Sequence, residues 1–223
     1  LQMGNMKNIF KSFTLSHAYQ CTYSVGSYSS YLNWVRVDGN MGFTQDELSQ
    51  QPIPSSPYNI SSVAITEKFA PLIGVNMTFK NDLSVNAEYR DARTLNLNSS
   101  AGQIVETGSK QISVGAGMKI ANFNKVVKFG STQGGVSNDL SMNVDFAFSN
   151  NQSLIRRIET AYTQATQGTQ TFSINFMATY QMSKKVTLSA FFDHQVNTPL
   201  VSNSAYPTSN SNYGISVNIS LAR

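Results

Sequence analysis

Few residues in this chain could do chemistry. It holds two histidines, His17 and His194, and one cysteine, Cys21, in 223 residues. Asp193 precedes His194, which suggests a proton relay. Neighbouring residues on an extended strand point to opposite faces, however, so Asp193 cannot orient the imidazole beside it. His17 lies within an apolar series, facing lipid or a neighbouring strand. Two histidines, one cysteine and no clustered carboxylates give no ligand spacing for zinc or calcium. Gly115-Ala116-Gly117 and Gly134-Gly135 suggest a phosphate loop, but neither leads into a helical pattern or a Gly-Lys-Ser/Thr sequence. Glycines inside a strand more often mark a bend or a close neighbour. A lone cysteine forms no internal disulfide, and Cys21 reads as a small hydrophobe. The expectation is therefore no catalytic residue, no metal, no cofactor and no enzyme.

What would position such residues is a two-residue beat that keeps restarting. Tyr213, Ile215, Val217, Ile219 and Leu221 alternate with small or polar Gly214, Ser216, Asn218 and Ser220. The same beat runs through Leu140, Met142, Val144, Phe146 and Phe148, through Phe172, Ile174, Phe176, Ala178 and Tyr180, and through Leu83, Val85, Ala87 and Tyr89. Such segments form strands with one greasy and one wet side. Many of them joined by turn residues are the signature of an antiparallel transmembrane β-barrel wall. On this reading Thr14, Ser16, Gln20, Thr22, Asn86, Asn143, Asn175, Gln181 and Asn218 face a hydrated lumen.

Composition agrees. Only 13% of residues are charged, about half the share usual in soluble domains. Asn, Ser and Thr replace charge as the polar element, which wets an inner face without self-repulsion. No run approaches the roughly 20 apolar residues of a membrane helix. The net charge is +4, but Arg156-Arg157, Lys184-Lys185, Lys125 and Lys128 form no stripe and match no nucleic-acid motif, so no nucleic acid is expected as partner. Residues 1–11 lack the charged start, apolar core and cleavage site of a signal peptide, and the first residue is Leu. The chain reads as a processed or internal piece.

Nine strands are predicted, over 11–25, 62–79, 83–97, 104–120, 138–149, 153–164, 170–182, 186–197 and 211–222. Asn81-Asp82, Asn150-Asn151 and Ser183-Lys184 read as tight turns, because Asn and Asp tolerate the left-handed backbone. Residues 26–61, rich in Gly and Pro, form a long loop, and 199–211 form another. Tyr28, Tyr31 and Trp34 in the first loop are candidates for contact with a partner or passing cargo, against the alternative of an interfacial aromatic girdle. The turns do not share one parity. Either an extra strand near 126–129 or a stretch that does not span would restore it. The last strand, with Tyr213, Gly214, Ile215, Val217, Ile219 and Leu221, has the pattern of an outer-membrane insertion signal, although Leu221 stands where an aromatic is usual. An ordinary amphipathic strand is the alternative.

Three blocks carry a more specific resemblance: residues 10–19 (FKSFTLSHAY) with 23–28 (YSVGSY), 65–78 (ITEKFAPLIGVNMT), and 193–202 (DHQVNTPLVS) running into 206–210 (YPTSN). Together they resemble the C-terminal region of the SprA/Sov family, the giant outer-membrane translocon of the type IX secretion system in Bacteroidetes. The resemblance implies that residues 1–223 are the closing portion of a very large barrel, with 211–222 as the closing strand. It implies a bacterial outer-membrane location, a link to gliding motility and protein secretion, and transport of folded cargo proteins to the cell surface. It also implies a plug protein, a small barrel shuttle partner, outer-membrane lipid and the rest of the translocon polypeptide as partners. Two rivals stand beside it: a self-contained small barrel, porin-like or structural, and a soluble β-sandwich.

Overall fold

A computed structural model describes residues 9–39, 41–46, 48–123, 138–183, 185–201 and 205–220. The proposed strand near 126–129, Gly134-Gly135, Lys184 and Leu221 lie outside these residues. The alternation becomes twelve strands: β1 Phe10–Ser16, β2 Tyr19–Ser30, β3 Val35–Asp38, β4 Met41–Gln45, β5 Pro52–Ser55, β6 Tyr58–Phe79, β7 Leu83–Asn98, β8 Gln103–Ile120, β9 Leu140–Arg157, β10 Thr163–Gln181, β11 Val186–Pro199 and β12 Thr208–Ile219.

Nine of them form one antiparallel sheet in the order β1-β6-β7-β8-β9-β10-β11-β12, with β2 also on β6. β1 runs along residues 74–79 of β6 and β2 along residues 58–69, so the two share one edge of the sheet. β12 is the other edge. The remaining three strands form a small separate sheet, β3-β4-β5. The loop predicted over 26–61 is thus largely structured: its first residues continue β2, its last begin β6, and its middle is the small sheet.

Two predicted elements change. The strand expected over 11–25 is split at His17-Ala18, opposite an extra segment of β6. Between Phe69 and Ile73 of β6, the neighbouring β7 advances only from Asp91 to Tyr89. The extra residues contain Pro71, which follows a cis bond and has no N–H for the ladder. Ala18 bridges the gap, donating to the Pro71 carbonyl at 2.9 Å and accepting from the Ala70 amide at 3.1 Å.

The turn expected at Asn150-Asn151 does not exist. β9 runs unbroken through it, with Asn150 between Lys110 and Gln170 and Asn151 between Ser109 and Thr169. The strands expected over 138–149 and 153–164 are therefore mainly one strand. Its partner β10 begins at Thr163 after a turn at 158–162. This correction restores the parity. The strand ends joined through 80–82, 121–139 and 182–185 lie at one end of the sheet, and the strand ends joined through 31–57, 99–102, 158–162 and 200–207 lie at the other. The Asn81-Asp82 turn forms as expected, with Asp82 at φ 62° and its amide donating to the Phe79 carbonyl at 3.2 Å.

The sheet is a single layer. Among the described residues no hydrophobic side chain is buried. The chain exposes 16035 Å², whereas a globular monomer of 24.5 kDa would expose about 10,000 Å².

Candidate functional site: the polar face and the charged belt

Register assigns every side chain of the large sheet to one of two faces. The apolar face collects Phe13, Leu15, Val75, Met77, Val85, Ala87, Val114, Ala116, Val144, Phe146, Ile174, Phe176, Ala190, Phe192, Tyr213 and Ile215 in matching cross-strand rows. These rows fill the part of the sheet nearer the 80–82 and 182–185 turns. Beyond them the same face becomes ionic. Arg93 pairs with Glu67, Arg156 with Glu106, and Lys110 with Asp91 at 3.8 Å. Asn150, Gln152 and Gln170 continue this belt across β9 and β10. Past the belt, on β6 to β8, Val63, Ile65, Leu95, Leu97 and Ile104 make a second apolar patch, and with Arg93, Glu106 and Arg156 they line a shallow pocket of about 340 Å³.

All nine residues read from the sequence as lumen-facing share the opposite, polar face: Thr14, Ser16, Gln20, Thr22, Asn86, Asn143, Asn175, Gln181 and Asn218. One cross-strand row crosses the whole sheet on this face: Thr14, Asn76, Asn86, Gly115, Asp145, Asn175, Asp193 and Asn212. No single stretch of sequence contains this row; it exists only through register. Gly115 has a local reason there. A Cβ on it would lie 2.4 Å from both Asn86 Oδ1 and Asp145 Oδ1, so the two side chains lean over the glycine. With its amide nitrogen turned toward the carboxylate, Asn175 donates to Asp193 Oδ1 at 3.2 Å.

A second row is a hydroxyl ladder, Thr22, Thr66, Thr94, Thr107 and Ser153. Thr66 Oγ1 lies 3.4 Å from Thr94 Oγ1, and Thr107 Oγ1 lies 3.1 Å from the buried Ser153 Oγ. Charges on the polar face are few, and several are neutralised locally: Arg90 pairs with Glu88 at 2.6 Å and Lys119 with Asp139 at 2.8 Å.

The histidines stand apart. His194 and Asp193 do lie on opposite faces, since their row partners are Ile174 and Asn175. His194 Nδ1 lies 2.8 Å from Ser211 Oγ, and its ring stacks on Phe192 at 6.3 Å. Sequence reasoning missed this imidazole–hydroxyl pair, because only the β11–β12 register brings Ser211 alongside. Its row and flanking neighbours on that face are Ile174, Phe192, Val196 and Tyr213, none of them a carboxylate that could orient the imidazole as a triad requires. His17 Nδ1 sits 2.6 Å from the Leu72 carbonyl, at the gap between β1 and β2. Cys21 is exposed and free, opposite Glu67.

The three aromatic residues proposed for partner contact have different settings. Tyr28 packs edge-on against Tyr58 at 5.7 Å and remains exposed, as does Tyr31. Trp34 is half-buried: Nε1 donates to the Ser55 carbonyl at 3.0 Å, and its ring occupies the space a side chain at Gly42 would need. It holds the small sheet together. Between β4 and β5, Asp46 caps its own turn. Its Oδ1 accepts from the Ser49 amide at 2.8 Å, the Ser49 hydroxyl at 3.0 Å and the Leu48 amide at 3.0 Å. The Ser49 amide first, then the Ser49 hydroxyl and the Leu48 amide, hold its carboxyl below the usual carboxylate range.

Of the proposed insertion signal, Tyr213, Ile215, Val217 and Ile219 lie on the apolar face, and Gly214 lies on the polar face beneath the Phe191 ring. No protein-family model matches the sequence, and no curated protein matches it.

Proposed function

We propose that this chain is part of the wall of a large outer-membrane β-barrel, the protein-conducting translocon of type IX secretion to which its sequence blocks bear resemblance. The observation that carries the reading is a single-layer antiparallel sheet, apolar on one face and sparsely charged on the other, with no buried core among the described residues. On β9 the apolar side runs from Leu140 to Phe148. At about 3.3 Å per residue and roughly 40° of tilt, those nine positions span roughly 20 Å, close to the ~25 Å band of barrel walls. The ion pairs Glu67–Arg93 and Glu106–Arg156 then mark the level where the hydrocarbon ends.

On this reading the polar face lines the lumen. Thr14, Ser16, Gln20, Thr22, Asn86, Asn143, Asn175, Gln181 and Asn218 keep it hydrated, and its few charges offer little to trap passing cargo. The wall performs no chemistry. Access is controlled by the plug protein and the small barrel shuttle that the resemblance implies. Both described ends of the sheet, Phe10 and Ile219, lie at the end that carries the turns after β6 and β10. Two open edges are not viable in lipid, so the rest of the polypeptide completes the barrel.

One observation favours a second reading. Counting β1 and β2 as one, the sheet is eight strands wide, the number of the smallest membrane barrels. An immunoblot of outer-membrane fractions separates the two. A band far above 24.5 kDa is expected for the translocon. A band near that mass whose mobility shifts on boiling would establish the small barrel instead. Recovery in the soluble fraction without detergent would sink both.

A further inference from the structure

Gly108 lies inside β8, on the face that carries the charged belt, in the cross-strand row Glu67, Arg93, Gly108 and Gln152. A glycine inside a strand weakens it and often marks a bend or the close approach of a ligand or another backbone. At the other described glycines of the large sheet, Gly26, Gly74, Gly115, Gly117, Gly168 and Gly214, a Cβ would meet an atom of the protein at 3.0 Å or less. At Gly108 nothing lies within 4 Å of that position, and no positive φ accounts for the residue. The missing side chain opens a hollow of about 380 Å³, walled by Glu67, Asp91, Arg93, Glu106, Lys110 and Gln152.

The walls carry both signs. Arg93 pairs with Glu67, Lys110 with Asp91, and Glu106 with Arg156 beside the hollow, so the charges cancel. A ligand with net charge would leave an uncompensated charge at the edge of an apolar surface, whereas a ligand with one charge of each sign would not. Groups remain to hold it. Arg93 places Nε and Nη2 on one oxygen, Glu67 Oε2, leaving Nη1 without a partner among the described residues. Glu106 accepts from Arg156 through Oε2, which leaves Oε1. The Lys110–Asp91 pair is loose at 3.8 Å, and the lysine side chain is 62% exposed. Two rows toward the main apolar band lie Ile73 and Ile112, both exposed.

Resting on the wall reading above, which puts this belt where the hydrocarbon ends, we infer that the Gly108 hollow seats the headgroup of a membrane lipid carrying both a phosphate and a primary ammonium. The phosphate accepts from Arg93 and Lys110, the ammonium donates to Glu106 and Asp91, and the acyl chains descend over Ile112 and Ile73. Hydrogen bonds between charged partners are short and about twice as strong as neutral ones. A quaternary ammonium bears the same charge but has no N–H to donate. An anionic headgroup offers nothing to the carboxylates. Both therefore fit the hollow less well.

The test uses the full polypeptide, purified in detergent from its own outer membrane. It is reconstituted into vesicles of phosphatidylcholine mixed equally with phosphatidylethanolamine or with phosphatidylglycerol. After return to lipid-free detergent, mass spectrometry of the extracted lipid gives the amount of each retained per polypeptide. Gly108→Leu has space for its side chain and fills the hollow, so the lipid lost between the unsubstituted polypeptide and this variant is the lipid the hollow holds. In that difference phosphatidylethanolamine is expected to exceed phosphatidylcholine about tenfold, a factor within reach of one hydrogen bond between charged groups. The boiling-induced mobility shift should stay unchanged, and Gly108→Val serves with less bulk if the leucine variant does not assemble. Equal retention with and without the substitution overturns the inference, as does a difference made up of phosphatidylglycerol or phosphatidylcholine. A polypeptide that needs detergent but retains the same lipid after Gly108→Leu sinks only the headgroup inference. Recovery in plain buffer without detergent sinks the wall reading itself.

Discussion

At the residue scale, the glycines carry the sharpest consequences. Gly214 has no room for a side chain because the Phe191 ring occupies it. Gly214→Val is expected to destabilise the β11–β12 pairing by about 1–3 kcal/mol, the usual cost of overpacking. The loss would be read as a lower temperature of the boiling-induced mobility shift. Adding Phe191→Ala to it should recover most of that loss, since it removes the collision. The hydroxyl ladder offers a milder test. Thr107→Val takes a hydrogen-bond partner from the buried Ser153, which keeps the Gln167 amide as donor at 3.4 Å. A cost of about 1 kcal/mol is expected in denaturant titration. A change near zero would show that the ladder is solvated rather than internally bonded.

At the element scale, the turn capped by Asp46 is titratable. Its carboxyl is held below the usual range by the Ser49 and Leu48 donors, so the cap is at full strength above the ordinary carboxylate pKa of about 3.9. It is lost as pH falls further, through the lowered folded-state value. Cleavage by an acid-active protease between β4 and β5 should therefore rise below about pH 4. Asp46→Asn should flatten that dependence, and an unchanged profile would show that the cap does not order the turn. The continuity of β9 is also testable. Asn150 pairs on both sides, with Lys110 and Gln170. Asn150→Pro is thus expected to prevent assembly, because proline removes a donor from a central strand. The same substitution at a turn would be tolerated.

At the scale of the whole molecule, the controlling quantity is surface left uncovered. The chain exposes 16035 Å² against about 10,000 Å² for a globular chain of its mass. On the proposed wall reading, two different solvents meet its two faces, hydrocarbon or detergent on the apolar face and water on the polar face. Extraction without detergent is therefore expected to fail, and removing detergent after extraction should precipitate the chain. A chain that stays monodisperse in plain buffer would refute the membrane assignment. The charged belt adds a second expectation. Its pairs face outward at the edge of the proposed bilayer band, so Glu67→Leu leaves Arg93 without its partner carboxylate there. Assembly should fall more than with the double change Glu67→Leu/Arg93→Leu, measured as the yield of boiling-sensitive protein.

The sequence by itself determined the two faces. Alternation is a local property of extended chain, so all nine residues from Thr14 to Asn218 fell on the same side without any knowledge of pairing. It also determined the Asn81-Asp82 turn, where the left-handed backbone is an intrinsic tolerance of Asp82. Only tertiary structure decided what depends on a neighbour. The gap at His17-Ala18 arises from extra residues in β6, about fifty positions along the chain, and leaves the local beat of Leu15, Tyr19 and Cys21 in phase. Asn150-Asn151 looked like a turn because the apolar face becomes polar at the belt. There both sides of β9 are hydrophilic, so a strand crossing the belt reads like a loop until Lys110 and Gln170 are seen on either side. The row from Thr14 to Asn212 and the His194–Ser211 pair likewise exist only through register, which is set between strands and written in none of them.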